Sequence, residues 1–361
     1  MKIVHVINNL NTGGAEKLLL EILPVYKQKG IIADLLLLDG TDYPFLKELK
    51  KQNCCKVMDL GKGSVYNPLL LFKLFSFLKK YNVVHVHLFP ALYWVSLVKK
   101  LFLSNIHLVY TEHNTSNRRR ESKVFRWIDR FIYSEYSKII TIADKVDVNL
   151  KKHLRTDSSK FKLIHNGVNI QKIKEAQGYK KEKFFKKKNC VLIQVSSFVI
   201  QKDQETLIRA LIELPDMVKL ALVGEGAQKS VCENLVKKLK LQNRVQFLGV
   251  RMDVPELLKM ADMVVLSSKY EGLSLSSIEG LASGKPFIAS NVPGLNDVVG
   301  GAGILFEQGN SKNLALQILK LLDDSDYYNQ IVEKCLKRAQ DYTIETMIDK
   351  HIELYKSLLK N

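Results

Sequence analysis

The chain has 361 residues, of which 46% are hydrophobic. That length exceeds what one hydrophobic core usually organises, so we expect two domains rather than a single small module. The formal net charge of +18 indicates an anionic partner, but it does not choose among nucleic acid, an acidic membrane face and phosphorylated small molecules.

Segments that would direct the chain into or across a membrane are absent from the sequence. No run of about 18 apolar residues occurs, and the first residues have a strand pattern where a signal peptide would need a charged start and an apolar core. We therefore expect a soluble protein made in the cytosol. The five cysteines are odd in number and lack metal-ligand spacing, which favours free thiols over a disulfide framework.

In the first half of the chain, short apolar runs alternate with helical periods. The runs predict strands at residues 3–7, 33–38, 57–60, 83–87, 107–111 and 138–142. Helices are expected between them, for example over residues 15–29, and from Asn67 as a cap before Pro68 at the first helical position. Strands and helices in alternation predict a parallel, doubly wound sheet.

The alternation stops near Asn166 and starts again after a lysine-rich segment. Further strands are predicted at residues 190–195, 218–223, 245–248, 263–266 and 286–289. We therefore expect a first domain over residues 1–170, a linker over 171–189 with at most a loose helix, and a second domain over 190–342. A last helix, at about 343–361, is expected to pack back on the first domain.

Loops suited to an anion follow the first strand of each half. In the first half, Gly13 and Gly14 stand directly before a helix, and two glycines there permit a positive φ and a close approach of backbone to phosphate. The spacing differs from G-x-G-x-x-G, so a plain tight turn explains it equally well. In the second half, Lys202 stands just before a helix, where a cation opposes the helix dipole unless an anion binds between them. A solvated lysine is the alternative.

The most informative local segment is residues 270–280, directly after a buried strand. Glu271 is expected in the loop and Glu279 in the first turns of the following helix. A carboxylate in that place can accept hydrogen bonds from two sugar hydroxyls, while the backbone N–H groups of Leu275 and Ser276 face a phosphate. A capped helix with acidic residues near its start is the structural alternative.

Motifs along nearly the whole chain resemble those of the retaining glycosyltransferases of family 4. They are Gly13-Gly14-Ala15-Glu16, His85-Val86-His87, Glu112-His113, Ile164-His165-Asn166-Gly167-Val168, Gln201-Lys202, Val223-Gly224-Glu225-Gly226, Phe247-Leu248-Gly249, Glu271 to Glu279, Ala282-Ser283-Gly284-Lys285-Pro286 and Val292-Pro293-Gly294. The resemblance rests on their order and spacing. It implies an α/β protein of the GT-B fold, in which two Rossmann-like, doubly wound domains face each other across a cleft.

The resemblance implies a role for each matching residue. Glu279 would bind the ribose hydroxyls, Lys202 the diphosphate, and Glu271 hydroxyls of the donor sugar. His113 matches the histidine that faces the transferred sugar, and the catalytic set would be Glu271, Lys202 and His113. The remaining donor-binding residues would be Gly13, Gly14, Ser197, Arg251, Ser274, Leu275 and Ser276, with Arg251 in the loop that lies against the base.

One departure concerns the diphosphate. The family commonly has Gly-Arg where this chain has Ser196 and Ser197, so the arginine that usually accompanies Lys202 is missing. Arg251, Arg209 or another cation substitutes for it, or Ser197 contributes only a hydrogen bond.

Members of the family work as a rule without a bound metal, so neither a metal nor a further cofactor is expected. Front-face attack, with the departing phosphate taking the acceptor proton, is the mechanism that these groups favour.

The acceptor is less defined by the sequence. Residues 67–80 and 91–103 are apolar around much of their circumference and carry Lys79, Lys80, Lys99 and Lys100 near their ends. With the arginines at 118–120, they would suit an anionic membrane and a lipid-linked acceptor; core burial and a soluble glycan acceptor are the alternatives. The resemblance fits an enzyme of bacterial surface polysaccharide synthesis, in the cytoplasm or peripheral on the inner face of the cell membrane.

Two other classes of function would share the fold or explain the net charge. A nucleotide-sugar epimerase or hydrolase could use the same fold, because a fold does not fix a reaction. A nucleic-acid-binding protein would explain the charge, but stacking aromatics are not interleaved with the basic residues, and neither a helix-turn-helix nor a zinc pattern occurs. Nucleic acid is therefore not expected as a partner.

Overall fold

The computed structural model describes residues 1–102, 105–114, 118–156, 159–185 and 189–360, without the side chains of Arg118 and Arg119. The chain divides into two compact units. The first, here called the amino-terminal unit, consists of Met1–Asn166 and Ile344–Asn361, and the second, the central unit, of Gly167–Thr343. Each unit contains one parallel sheet, which confirms the predicted α/β class with two Rossmann-like domains.

The amino-terminal unit alternates strands and helices along residues 1–166. Its strands are β1 (Lys2–Ile7), β2 (Ile32–Leu37), β3 (Val57–Asp59), β4 (Val83–His87), β5 (His107–Glu112), β6 (Lys138–Thr141) and β7 (Phe161–Leu163). Its helices here are α1 (Gly14–Gln28), α2 (Pro44–Gln52), α3 (Leu70–Leu78), α4 (Ala91–Phe102), α5 (Lys123–Ser134) and α6 (Asp144–Leu154), with a 3-10 helix at Arg118–Glu121. The sheet has the order β3-β2-β1-β4-β5-β6-β7.

The central unit repeats the architecture with its own core. Its strands are β8 (Cys190–Val195), β9 (Val218–Val223), β10 (Val245–Phe247), β11 (Met263–Leu266), β12 (Phe287–Ser290) and β13 (Ile304–Phe306). Its helices are α7 (Ile170–Glu175), α8 (Gln204–Ala210), α9 (Lys229–Lys238), α10 (Val254–Met260), α11 (Leu275–Ala282), α12 (Leu295–Val299), α13 (Ser311–Asp323) and α14 (Ser325–Ala339). Short 3-10 helices span Lys181–Lys183, Ile200–Lys202, Leu211–Glu213 and Gln340–Tyr342. The sheet order is β10-β9-β8-β11-β12-β13.

The last helix, α15 (Ile344–Leu359), belongs to the amino-terminal unit. It packs against α1, and the hydroxyl of Tyr26 lies 3.2 Å from His351 Nδ1 and 3.3 Å from the hydroxyl of Tyr355. A surface ion pair joins Lys29 to Asp349 at 2.7 Å. The buried face of α15 therefore completes the core beneath β1 and β4.

The strands are buried because helices cover both faces of each sheet. All five residues of β4 are buried, as are the last five of β1, which explains why apart from their histidines these strands are apolar on both faces. In both sheets the strand order reverses between two neighbouring strands: β1 and β4 in the first, β8 and β11 in the second. Ligands of open parallel sheets bind at the carboxyl ends of such strands.

Three local predictions differ from the structure. Asn67 caps a turn instead of a helix, because its side chain accepts from the amide of Leu69 at 3.0 Å and α3 begins only at Leu70. The sequence reading also missed β7 and β13, which have three residues each. The lysine-rich segment 171–189 lies within the central unit, where α7 packs against α10 and α11.

Among the helices in the described part of the chain, none combines the length and the apolar character needed to span a bilayer.

Candidate active site

An ion pair lies at the carboxyl edge of the central sheet, where the strand order reverses. Lys202 follows β8 and Glu271 follows β11, and the lysine Nζ is 2.5 Å from Glu271 Oε1. The same carboxylate oxygen accepts a hydrogen bond from the hydroxyl of Ser268 at 2.6 Å. The two side chains are 18% and 9% exposed. The fold therefore brings together, from 69 positions apart in sequence, a cation and a carboxylate that were both predicted as catalytic.

Buried polar groups fix the backbone at Lys202 and at Asp203. The side chain of Gln194 donates to the carbonyl of Lys202 at 3.0 Å, and the hydroxyl of Ser267 donates to the carbonyl of Asp203 at 2.8 Å. The oxygen of the same hydroxyl lies 2.9 Å from the amide oxygen of Gln194, so the two acceptors share its single proton. These contacts tie the loop after β8 to the loop after β11, so the lysine is held where the two loops meet. The sequence reading did not single out Gln194 or Ser267.

The helix α11 begins beside this pair. Ser274 is its cap residue in an extended conformation, and its carbonyl accepts from the amide of Ser277 at 3.1 Å. The amides of Leu275 and Ser276 belong to the first turn, whose N–H groups have no acceptor within the helix and suit an anion. Glu279, one turn further, is only 3% exposed. The predicted donor-binding residues of this segment thus lie on one helix start.

A glycine holds the loop that carries Glu271. Gly294 has φ +89°, and a Cβ there would lie well under 3.0 Å from the carbonyl oxygens of Glu271 and Gly272. Real Cβ atoms do not approach that closely, so only glycine permits this contact. The match of Val292-Pro293-Gly294 to the family pattern has this structural cause.

The loop after β8 is packed in the same way against the loop after β9. A Cβ at Gly224 or at Gly226 would lie well under 3.0 Å from the carbonyl oxygens of Ser196 and Phe198, respectively. Ser196 is buried and Ser197 is exposed. The carbonyl of Ser197 accepts from the side chain of Gln204 at 3.0 Å. Ser197 therefore offers its hydroxyl to solvent at the place where the family carries an arginine.

The two arginines that could substitute for the family arginine are each beside a carboxylate. Arg251 makes a two-point contact with Asp253, at 2.8 Å from Nε and 2.5 Å from Nη2. The hydroxyl of Tyr179 donates to the same carboxylate at 2.6 Å. The hydrogen bond from Arg251 is the main reason that the pKa of Asp253 is lowered to about 2. Arg209 lies 3.8 Å from Glu205.

In the amino-terminal unit, Gly13 and Gly14 stand where α1 begins. Gly13 is the cap residue with φ −127° and ψ 171°, and Gly14 is the first helical residue. Neither glycine uses the positive φ that its residue type permits, because the chain enters the helix from an extended conformation. A Cβ at Gly13 would meet only the carboxylate of Glu16, the end of a flexible side chain that can move aside.

His113 directly follows β5 and is half-buried. Its Nε2 is 3.0 Å from Nδ1 of His87, and Nε2 of His87 is in turn 3.0 Å from Nδ1 of His5. Burial lowers the pKa of His113 to about 4, so the ring is neutral at neutral pH. Sequence reasoning missed this connection, although His85 and His87 stand two positions apart on one strand and His5 is the register partner of His85.

Three buried histidines also form the one grouping in the described residues that could hold a metal ion. Each of the three histidines, His5, His85 and His87, has one ring nitrogen within 4.8 Å of a ring nitrogen of the other two. Both nitrogens of His85, however, are bonded to hydroxyls: Nδ1 lies 2.5 Å from Tyr355 and Nε2 lies 2.6 Å from Thr111. A metal ion would have to displace these partners, so the donor set fits a hydrogen-bonded network better than a metal centre.

One member of the predicted basic rim is not at the surface. The side chain of Arg120 is 8% exposed and pairs with Glu112, which also accepts from the hydroxyl of Tyr133 at 3.0 Å. The predicted contact of Arg120 with a membrane is therefore wrong, because its guanidinium is paired with the buried carboxylate of Glu112. The side chains of Arg118 and Arg119 lie outside the described residues.

Comparison with known proteins assigns the chain to a family. The family described as Glycosyltransferase Family 4 matches residues 12–172, and Glycosyl transferases group 1 matches residues 176–338. An Escherichia coli UDP-Gal:alpha-D-GlcNAc-diphosphoundecaprenol alpha-1,3-galactosyltransferase is 28% identical over 81% of this chain and 80% of its own length. The N-acetyl-alpha-D-glucosaminyl L-malate synthase of Bacillus anthracis is 27% identical over 78% of this chain and 76% of its own length.

Solved structures share the fold over the whole chain. Anabaena Alr3699/HepE in complex with UDP and glucose superposes with a TM-score of 0.85 at 23% identity, covering 99% of this chain and 100% of that one. A sucrose-phosphate synthase from Thermosynechococcus elongatus has a TM-score of 0.81 at 19% identity, covering 100% of both chains. With both halves matched in sequence and the fold matched throughout, this chain belongs to the group 1, family 4 glycosyltransferases of the GT-B fold.

Proposed function

We propose that this protein transfers a sugar, with retention of anomeric configuration, from a nucleotide-diphosphate donor to a glycan or lipid-linked acceptor in the synthesis of a bacterial surface polysaccharide. The observation that carries the proposal is the Lys202–Glu271 pair beside the start of α11. A cation and a row of helix amides at one point favour a diphosphate, and the carboxylate favours sugar hydroxyls.

In this account the ion pair is the resting state of the site. When a donor binds, the ammonium of Lys202 contacts the diphosphate, and Glu271 accepts hydrogen bonds from the sugar. As the bond to the anomeric carbon breaks, negative charge grows on the leaving phosphate, and the lysine and the α11 amides stabilise that charge without reorganising. Glu271 is already paired and bonded to Ser268, so it suits a positioning carboxylate better than a covalent nucleophile.

The relatives support the classes of donor and acceptor. The Escherichia coli relative is named for UDP-Gal and for a diphosphoundecaprenol-linked acceptor, and HepE was crystallised with UDP and with UDP-glucose. A nucleotide-diphosphate sugar and a lipid-linked or glycan acceptor are therefore the substrates that we propose here. Neither a metal nor another cofactor is part of the proposed reaction.

The acceptor side includes an aromatic and basic surface on α3, α4 and α5, here called the aromatic–basic surface. The ring of Phe102 lies 5.3 Å from Phe75, and Lys100 lies 5.7 Å from the ring centre of Phe131. Trp127 is 73% exposed. Large aromatic rings with lysines around them suit the boundary between lipid headgroups and acyl chains. We propose that this surface contacts an anionic membrane from the cytoplasmic side.

The membrane contact is tested with vesicles. Lys79 and Lys80 are exposed at the end of α3, so their replacement by Glu should release the protein from anionic vesicles, at about 1 kcal/mol for each charge removed. Replacement of Lys237 and Lys238, an equally exposed pair at the end of α9, is the control. Release of both variants alike, or equal binding to neutral vesicles, would contradict a specific surface.

The catalytic proposal is tested with a panel of nucleotide sugars. A true donor at 100 times its Kd should stabilise the folded protein by about 2.7 kcal/mol, and the same compound should be consumed in the presence of an acceptor. Free sugar or an epimer formed without acceptor would instead indicate a hydrolase or an epimerase. The variant Glu279→Gln should lose about half of this stabilisation or more at the same donor concentration, because its buried carboxylate is assigned to the ribose.

A further inference from the structure

Three histidine rings in the amino-terminal unit form a continuous hydrogen-bonded row, here called the histidine chain. It runs from His5 on β1 through His87 on β4 to His113, with 3.0 Å between nitrogens at each step. His5 and His87 are fully buried, at 0% and 1% exposure. The row joins the interior of the unit to His113, the residue that the family resemblance places beside the transferred sugar.

The three rings are neutral, which gives the row a direction. Burial lowers the pKa of His5 to about 3 and of His113 to about 4, and burial with the neighbouring histidines lowers the pKa of His87 well below its usual value. A neutral imidazole has one N–H and one lone pair. In a row of three such rings, every N–H must therefore point toward His5 or every N–H must point toward His113.

The buried end of the row decides between the two directions. Within the described part of the chain, Nε2 of His5 has no hydrogen-bond partner. If the N–H groups pointed inward, this atom would carry a buried proton without an acceptor. If the N–H groups point outward, Nε2 of His5 carries only a lone pair that accepts no hydrogen bond. Unsatisfied acceptors are commoner in protein interiors than unsatisfied donors. The outward direction is therefore the stable one.

We infer that His87, backed by His5, is a positioning residue that holds His113 in the tautomer with its proton on Nδ1. In this state His5 Nδ1–H donates to His87 Nε2, and His87 Nδ1–H donates to His113 Nε2. His113 then presents a hydrogen-bond donor, suited to an oxygen lone pair of a sugar, and it cannot accept a proton at Nδ1. The inference rests on the proposed function for the identity of that partner.

His85 provides a matched control on the same strand. It is fully buried and its ring is stacked 4.4 Å from that of His87. Its own nitrogens are bonded to Tyr355 and Thr111 instead of to the histidine chain. Replacing His85 therefore removes a buried imidazole of the same layer and leaves the row intact.

The first test reads the tautomers directly. Long-range ¹H–¹⁵N correlation spectra of the full-length protein with labelled histidine separate rings protonated on Nδ1 from rings protonated on Nε2, and a His113→Asn variant assigns the signals of His113. The expected result is a proton on Nδ1 in all three rings of the histidine chain. A proton on Nε2 of His113 or of His87 would overturn the inference.

The second test breaks the row. His87→Leu should let His113 exchange between tautomers and should lower kcat for transfer about tenfold to a hundredfold, the range for groups that orient metal-bound histidines. His87→Asn keeps an amide nitrogen in the δ position and should restore most of the rate. The control His85→Gln should leave the tautomer of His113 unchanged. A His87→Leu variant that keeps Nδ1–H on His113, or a control that changes it equally, would overturn the positioning role.

The two kinds of readout separate this inference from the proposed function. If His87→Leu changes the tautomer but not kcat, the positioning role of His87 is supported, and the place of His113 at the transferred sugar is wrong. If the protein transfers no sugar at all, the proposed function fails, while the spectra still decide the direction of the row. His113→Asn, which keeps a δ nitrogen, should also retain more transfer than His113→Gln.

Discussion

Both partners of the Lys202–Glu271 pair are largely shielded from water. Removing either one should therefore lower the folding stability of the central unit as well as the rate of transfer, and the two effects can be measured separately. The variant Lys202→Met keeps the length of the side chain and leaves the Glu271 carboxylate, 9% exposed, with the Ser268 hydroxyl as its remaining partner. Breaking a partly buried pair in this way should destabilise the central unit by about 1–3 kcal/mol. Glu271→Gln should cost a similar amount, because it leaves the ammonium without its counter-charge.

The double variant should recover the lost stability without recovering transfer. A thioether beside a neutral amide leaves no buried charge, so the costs of the two single variants should not add, and the double variant should be close to the parent in stability. Transfer should stay at least about a hundredfold below the parent in all three variants, the usual effect of losing one stabiliser of developing charge.

Amide hydrogen exchange in the peptides of the central unit measures the stability side of this cycle, and a donor-consumption assay measures the chemistry. Transfer by Lys202→Met at the parental rate would remove the diphosphate role of the lysine. A double variant that regains activity along with stability would show that the pair is only structural.

Four further results are expected. Gly301→Ala, at φ +76° with no described atom near its Cβ, should cost about 1 kcal/mol for its backbone conformation alone. Gly294→Ala should lower the free energy of unfolding by more than Gly301→Ala does, and it should lower transfer at least about tenfold because it displaces the loop of Glu271. Hydrogen exchange and the transfer rate measure these effects, and equal values for the two variants would contradict the close contact. Glu279→Gln should raise the Kd for donor about tenfold or more, which calorimetry measures; unchanged affinity would remove its ribose role. Ser197→Arg should be tolerated and should partly rescue Lys202→Ala, because a guanidinium can hold phosphates at two points; lower activity in the otherwise parental protein would mean that another cation already occupies the space. Acidification should unfold the amino-terminal unit. Burial lowers the pKa of its core histidines, so the unfolded chain binds more protons than the folded chain does, and the free energy of unfolding falls as the pH drops below about 6.5. Both tryptophans lie in that unit, so fluorescence follows it directly, and an intensity that is constant down to pH 4 would contradict the linkage.

The fold could be predicted because the sheets are parallel and covered on both faces. Such strands appear in the sequence as largely apolar runs, and Val83–His87, Cys190–Val195 and Val218–Val223 were predicted with the bounds that the structure has. A strand of three residues has no measurable period; β3 and β10 were nevertheless predicted, whereas the equally short β7 and β13 were missed. Local hydrogen bonding decided the start of α3, because Asn67 caps a turn there.

The site could be predicted only as a set of positions. A cation before a helix and two carboxylates around another helix start suggested a donor site, but nothing in the sequence indicated that Lys202 and Glu271 pair directly. The burial of Arg120 was equally hidden, because its partner Glu112 stands eight positions earlier, at the end of β5, and no sequence pattern predicts that the two side chains meet. The histidine chain depends on the register between β1 and β4, and register follows from the folded sheet rather than from either strand alone.

The most direct test of the central claim is the anomeric configuration of the product. With an α-linked nucleotide sugar and a lipid-diphosphate acceptor, proton NMR of the product should show an α-glycoside formed by the parent protein, and about a hundredfold less of it formed by Glu271→Gln. A β-glycoside, or equal amounts of product from the parent and from Glu271→Gln, would contradict retaining transfer at the Lys202–Glu271 site.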